Sequence, residues 1–104
     1  MSTRCAIAIK RDPNHYDAIF CHFDGYPNGG VGDTLIQNYT DPYIANTLIS
    51  LGNIETLEDS IEETSRTKYG RPFSGPLKEL LKVFWDVEWL YVYHATDYWE
   101  TIKL

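Results

Sequence analysis

Two stretches near the start of the chain alternate between apolar and other side chains, which is the period of a β-strand. In residues 4–11, the odd positions from Cys5 to Ile9 place large apolar side chains on one face. Residues 15–23 are rich in aromatic and β-branched side chains and alternate in the same way. The turn-forming sequence Asp12-Pro13-Asn14 lies between them. The pattern therefore predicts an N-terminal β-hairpin.

Helical spacing replaces this alternation in the middle of the chain. Apolar residues recur on one side of predicted helices over residues 34–39 and 42–51. Asp33 is expected to cap the first helix, and Asp41 followed by proline is expected to open the second. Gly52 stands where a left-handed helix terminus favours glycine. Both helices should pack over one face of the sheet.

The C-terminal half contains a glycine- and proline-rich segment and then a second alternating region. Residues 65–76 hold two glycines and two prolines, which predicts a loop. A short helix is expected over residues 77–84, because Pro76 suits a helix start. Residues 88–94 and 98–104 alternate like strands, and the residues between them predict the turn of a second hairpin.

The order β-β-α-α-loop-α-β-β predicts an α+β protein that forms a single compact domain over residues 1–104. We expect a four-stranded antiparallel sheet made of an N-terminal and a C-terminal hairpin, with two to three helices packed on one face. The two hairpins would join either through the first and last strands or through the inner pair.

The charge balance restricts the partners. The formal net charge is -6 and the sequence pI is about 4.8, which argues against general nucleic-acid binding. Acidic side chains concentrate in residues 53–64 and basic ones in residues 65–82. This separation is typical of a solvated acidic helix beside a basic loop. The alternative is an acidic surface that docks on a basic partner or imitates nucleic acid.

The chain has no apolar run of about 18 residues and no secretory signal, so we expect a cytoplasmic protein that does not bind membranes. The two cysteines, Cys5 and Cys21, do not form a zinc-binding pair and are expected to be small core residues. In the hairpin they either face each other, or a slip of one residue sets Cys5 against His22. The sequence predicts no metal and no cofactor.

Residues 21–33, CHFDGYPNGGVGD, concentrate the polar side chains that could do chemistry. His22 and Asp24 lie two residues apart at a strand end, so they would share one face. This spacing allows a carboxylate-oriented general base, or a metal site with Asp33 or His94 as third ligand. Structurally, His22 would only pack on the sheet and Asp24 would begin a turn.

The glycines of the same stretch offer a second possibility. Gly25, Gly29, Gly30 and Gly32 precede a predicted helix, where free amides cradle phosphate in some proteins. However, the lysine of a P-loop is missing and the G-x-G-x-x-G pattern is not matched. Asp33 would also compete for the same amides. No nucleophile stands in an activating pattern, so an enzyme is the minority interpretation.

Aromatic side chains crowd the last strands. Alternation places Trp89, Tyr91 and Tyr93 on one face of the sheet, near Trp99 of the final strand. The opposite face is apolar as well, although the sequence predicts helices for only one of the two faces. A partner protein, a second copy of the chain or a flat ligand could cover the other. The simpler alternative is that the long loop folds over it.

The stretch AIFCHFDGYPNGGVGDTLIQNYTD resembles a family of small proteins encoded by bacteriophages and prophages. Residues 21–27 match its Cys-His-aromatic-Asp-Gly-Tyr-Pro motif in full, and the similarity extends through LGNIETL to the terminal EWLYVY hairpin. Members often have a His-Arg-Asp-Arg-Gly stretch in the middle loop, where this chain reads SRTKYGRP. The resemblance implies a phage origin and a location in the bacterial host, but no particular activity.

Three hypotheses follow. The first is a phage accessory protein that binds a host or anti-phage defence protein through Trp89, Tyr91, Tyr93 and Trp99. The second is a binder of a small ligand such as a nucleotide, contacted by His22, Asp24, Tyr26, Asp33, Arg66, Lys68 and Arg71. The third, and weakest, is a hydrolase that uses His22 and Asp24.

Overall fold

The computed structural model describes residues 3–67, 70–94 and 98–104. Within them, all strands belong to one mixed sheet in the order β4-β3-β2-β1-β6-β7, and β5 also pairs with β2. The elements are β1 (Cys5–Asp12), β2 (His15–Phe23), α1 (Val31–Asn38), α2 (Pro42–Ser50), β3 (Ile54–Thr56), β4 (Ser65–Arg66), β5 (Phe73–Gly75), α3 (Leu77–Val83), β6 (Trp89–His94) and β7 (Tyr98–Lys103).

The α+β class and both hairpins are as predicted. In the N-terminal hairpin Cys5 lies directly opposite Cys21, so the first of the two registers is the one adopted. Both thiols are free and buried. Burial, and then the neighbouring Cys21, raise the pKa of the Cys5 thiol well above its ordinary value. These cysteines therefore act as small core side chains.

The prediction of a four-stranded antiparallel sheet is wrong in its details. β1 pairs in parallel with β6, with Cys5 opposite Trp89 and Ile9 opposite Tyr93. The hairpins thus join by neither of the two expected pairings. Residues 5–9 contain no charged side chain, so β1 can lie in the centre of the sheet with both faces covered.

Helices cover both faces of the sheet, and not one face as predicted. α1 and α2 pack on the face formed by the large odd-numbered side chains of β1 and β2, including Ile7 and Ile19. α3 packs on the opposite face, where the side chains of Ala6, Ala8 and Ala18 are small. Leu80 of α3 and Phe84, which directly follows α3, pack in the same cluster as these alanines. We attribute this packing to the small size of the alanine side chains.

The aromatic residues expected to bind a partner lie largely inside the protein. Tyr91, Tyr93 and Trp99 are at most 8% exposed and belong to the core under α1 and α2. The polar atoms of Tyr91 and Trp99 donate to the backbone carbonyls of Gly25 and Tyr39. Trp89 is half-buried, with the ammonium of Lys103 over its ring. The predicted partner surface is therefore not available as one exposed face.

The predictions made for helix ends and loops agree with the structure at some positions and differ at others. Asp41 caps α2 as predicted, and Gly52 is left-handed with a φ of 83°. Asp33 does not cap α1, which begins at Val31, two residues earlier than Asp33. The acidic run 53–64 forms no helix, since β3 and turns occupy it. Residues 65–76 include β4 and β5, and are not a simple loop.

No helix within the described residues is both long and apolar enough to cross a membrane. The turn predicted between β6 and β7 lies mostly at residues 95–97, outside the described residues.

Candidate functional site

The edge of β2 is divided between two short strands. β3 runs parallel to the end of β2 at Cys21 and Phe23, whereas β5 runs antiparallel to its beginning at residues 16–18. Between them, the backbone amide of Phe20 donates to the side-chain oxygen of Asn53 over 2.9 Å. Asn53 therefore takes the place of a strand partner in a gap in the sheet.

A cavity of about 770 Å³ opens at this gap, on the α3 side of the sheet. The phenylalanine rings of β2, β5 and the C-terminal end of α3, Phe20, Phe73 and Phe84, line it. The rings of Phe20 and Phe84 lie 5.9 Å apart at an angle of 50°. Its size and its mostly apolar wall are those of a small-molecule site. We call it the β3–β5 cavity.

The β3–β5 cavity also holds a histidine beside a carboxylate, which we call the His22–Glu55 couple. Nδ1 of His22 lies 3.3 Å from Oε2 of Glu55, and both side chains line the cavity. The imidazole stacks on Phe23 with ring centroids 4.4 Å apart and planes 5° from parallel. The carboxylate beside His22 is thus Glu55, from the neighbouring strand, and not Asp24 as predicted. Parallel pairing of β2 with β3 brings Glu55 there, and sequence spacing gave no sign of it.

The basic residues predicted to bind a ligand divide between different places. Arg71 lines the β3–β5 cavity, and no described acidic side chain forms an ion pair with it. Arg66 does not line it; its Nε donates to the carbonyl of Leu51. Lys68 lies outside the described residues. Arg71 is therefore the basic side chain that the described structure brings to this cavity.

The glycine-rich turn does not form a phosphate cradle. The amides of Gly25, Val31, Gly32 and Asp33 donate to backbone carbonyls, and that of Gly29 donates to the Asp33 carboxylate over 2.8 Å. Amides used in this way cannot bind an anion. Asp24 and Tyr26 are exposed, and neither lines the β3–β5 cavity. The predicted ligand contacts of Asp24, Tyr26 and Asp33 are therefore separate from those of His22 and Arg71.

A second polar cluster, which sequence reasoning missed, holds β5 on β2. The Ser74 hydroxyl donates to Oδ1 of Asp17 over 2.7 Å and lies 2.9 Å from Nε2 of His15. In a serine hydrolase triad the acid and the serine use different ring nitrogens. Here Asp17 Oδ1 is 3.2 Å from that same Nε2, so no relay is formed. We interpret this cluster as a clasp between two strands.

Neighbouring side chains stabilise the ionised form of the Asp17 carboxyl group in this clasp. Partial burial raises the pKa of Asp17, but hydrogen bonds from Arg11, Ser74 and His15 outweigh it, and the pKa falls below its usual range. Arg11 also donates to Asn46 of α2 over 2.6 Å, which ties the helix to the same network. The clasp matters for the site because Ser74 and Phe73, both of β5, line the β3–β5 cavity.

The described geometry suits binding better than catalysis. Phenylalanine rings can stack on a flat ligand, Arg71 can pair with an anion, and the His22–Glu55 couple can exchange hydrogen bonds or a proton. The Ser74 hydroxyl reaches the cavity already engaged with Asp17 and His15. Across residues 3–67, 70–94 and 98–104, no three His, Cys, Asp or Glu side chains are grouped to hold a metal.

Comparison with known proteins gives no further guide. No protein-family model, no curated protein and no solved structure matches the chain.

Proposed function

We propose that the protein is a non-enzymatic binder of a small ligand that combines a flat ring with an anionic group, as a nucleotide does. The observation that supports this is the β3–β5 cavity, which places phenylalanine rings, the His22–Glu55 couple and Arg71 around one space of about 770 Å³. Rings attract a flat ligand, and a guanidinium favours phosphate or carboxylate. Sequestration of such a compound requires no catalytic group.

The resemblance to phage-encoded proteins supports a biological setting for this proposal. A small acidic phage protein in the bacterial cytoplasm would act by removing a nucleotide-like signal from the host. The hydrolase hypothesis has less support, because Asp24 is exposed and the partner of His22 is Glu55. The metal-site version has no third ligand among the described residues.

Native mass spectrometry tests the proposal directly. Protein purified from bacterial cells, or incubated with a millimolar mixture of nucleotides, should show an added mass of nucleotide size. Arg71→Ala should lose that mass, whereas Arg66→Ala should keep it, since Arg66 is basic and lies outside the cavity. Absence of any added mass in the parent protein, with or without the nucleotide mixture, would contradict the proposal.

A partner protein remains a second candidate because of one exposed surface. Trp85 is 80% exposed and Val83 is 54% exposed, at and just after the end of α3 and beside the cavity. Large apolar side chains in such positions are typical of protein contacts. A host or defence protein that copurifies in equimolar amount should then be lost with Trp85→Ser and kept with Arg71→Ala. Equal recovery with parent and Trp85→Ser would argue against this surface.

A further inference from the structure

We propose that the ring bound in the β3–β5 cavity is guanine-like, with two adjacent N–H donors that pair with Glu55, and that its phosphate pairs with Arg71. This inference rests on the proposed function and specifies its ligand. It depends on which polar atoms of the cavity are occupied and which remain available for a ligand.

Glu55 supplies the acceptor. Its Oε2 lies 3.3 Å from Nδ1 of His22, and none of the described residues donates a hydrogen bond to its Oε1. Its side chain is 36% exposed and lines the cavity, so Oε1 and the second lone pair of Oε2 can both accept from a ligand. Because His22 restrains one oxygen, the carboxylate is oriented and favours a fixed donor edge. An ionised carboxylate accepts hydrogen bonds and cannot donate them.

The bases differ in what they offer to a carboxylate. Guanine presents an N1–H and an adjacent amino group on its Watson–Crick edge, whereas adenine and cytosine present an amino group beside a ring nitrogen that accepts. An acceptor placed against a carboxylate oxygen forms no hydrogen bond with it and repels it. Uracil presents an N–H between two carbonyl acceptors. Glu55 therefore discriminates in favour of guanine.

The rest of the cavity fits the remaining parts of a guanine nucleotide. Phe20, Phe73 and Phe84 provide apolar walls for the flat base. Arg71 lies in the segment that leads into β5, and Glu55 lies in β3, so the two charged groups come from the two segments that flank the gap. Two carboxylates line the cavity, but Oδ2 of Asp86 already lies 3.6 Å from Nε of Arg4. Glu55 and Arg71 therefore match a ligand with donors at one end and phosphate at the other.

Isothermal titration calorimetry with GMP, IMP, AMP, CMP and UMP tests the inference. IMP is the matched ligand, because it keeps N1–H and lacks the amino group. The parent protein should bind GMP about tenfold or more tighter than AMP, CMP or UMP, with IMP intermediate, as expected for charge-assisted hydrogen bonds. Glu55→Gln should lower the affinity for GMP by about tenfold and leave that for AMP equal or higher, because an amide can donate to adenine N1.

Three variants separate folding from recognition. Arg71→Ala should weaken all five nucleotides to a similar extent, because phosphate is common to them, and Arg66→Ala should change none. Glu55→Gln should unfold at a temperature close to that of the parent, so a loss of GMP binding is not a loss of fold. If Glu55→Gln unfolds at a clearly lower temperature, the test is instead the comparison of IMP with GMP in the parent protein. Equal affinity for IMP and GMP would then overturn the inference.

The possible failures are distinct. Equal affinity of the parent for GMP and AMP, or equal loss of both in Glu55→Gln, would overturn the guanine inference and leave ligand binding intact. If none of the five nucleotides gives a heat of binding at millimolar concentration, the inference is overturned together with the nucleotide form of the proposed function.

Discussion

Gly32 and Asn53 show how single residues support this fold. Gly32 lies in the first turn of α1, where a Cβ atom would come within 2.6 Å of the Pro27 backbone. Asn53 is 6% exposed and accepts the Phe20 amide at the gap between β3 and β5. Each residue is required because a backbone segment from elsewhere in the chain approaches it closely.

Replacing Gly32 with alanine should destabilise the protein by about 1–3 kcal/mol, because the new methyl group collides with backbone atoms that cannot rotate away. Helix propensity alone predicts the opposite sign, a gain of about 1 kcal/mol. Urea unfolding measures the difference, with Gln37→Ala in the exposed part of α1 as the control. A stabilised Gly32→Ala protein would contradict the close approach of Pro27.

Asn53→Ala should lower the free energy of unfolding by about 1–3 kcal/mol, because the partly buried Phe20 amide loses its acceptor. Ligand binding should weaken too, since Asn53 lines the cavity. Thermal unfolding measures the change in stability, and the calorimetric titration measures the change in ligand binding. Asn28→Ala, an exposed change in the glycine-rich turn, serves as the control. Unchanged stability of Asn53→Ala would mean that another group satisfies the amide.

At the scale of an element, β5 is a short strand that pairs with β2 and is joined to it by the clasp. It has three residues, and Ser74 joins it to Asp17 and His15 on β2. The same strand presents Phe73 to the cavity. The position of this cavity wall therefore depends on a small polar network.

The clasp predicts a loss of stability in acid. Because the pKa of Asp17 is lower in the folded protein, its stabilisation is complete above the ordinary aspartate pKa of about 3.9. It disappears as the pH falls through the lowered folded value. Urea unfolding as a function of pH should therefore show a steeper acid decline in the parent than in Asp17→Asn. Equal slopes would show that Asp17 carries no such linkage.

At the scale of the whole molecule, tyrosine hydroxyls join β6 and the end of α1 to connecting segments of the chain. Tyr91 reaches the carbonyl of Gly25, and Tyr39 of the α1 C-cap donates to the carbonyl of Glu58 over 2.7 Å. Burial is the main cause that raises the pKa of both hydroxyls. In Tyr39, the hydrogen bond with Thr64 opposes the shift and nearby acidic residues add to it.

The raised pKa values of Tyr91 and Tyr39 predict that the protein loses stability at alkaline pH. A tyrosine whose folded pKa lies above its unfolded value of about 10 stabilises the protein below that pH, and the contribution is lost as the pH rises further. Tyr91→Phe should flatten the alkaline decline and cost about 1 kcal/mol at neutral pH through the lost hydrogen bond. Tyr43→Phe, at an exposed site, should alter neither. Tyrosinate absorbance and urea unfolding measure both effects.

Much of the secondary structure was predictable because its causes are local. Alternation identified both hairpins, and the Asp41 cap and Gly52 terminus followed from neighbouring residues. β3, β4 and β5 were missed because strands of two or three residues have no measurable period. β3 and β5 form on the edge that β2 offers, and β4 forms on β3.

The candidate site was predictable only in part. His22 and Arg71 were named from the sequence, and both line the β3–β5 cavity. Glu55, Asn53 and Phe73 were missed, because each comes from a short strand or loop whose partner is distant in sequence. Tyr91 and Trp99, which were predicted as partner contacts, are buried. Alternation shows which residues share a face but not what covers that face.

By itself, the sequence determined the α+β class, the two hairpins and the absence of a broadly basic surface, since periodicity, turn residues and net charge are properties of the chain. Only the tertiary structure decided the parallel β1–β6 pairing, the placement of α3 on the second face and the meeting of His22 with Glu55. These depend on which apolar faces bury each other, and segments far apart in the chain compete for that burial.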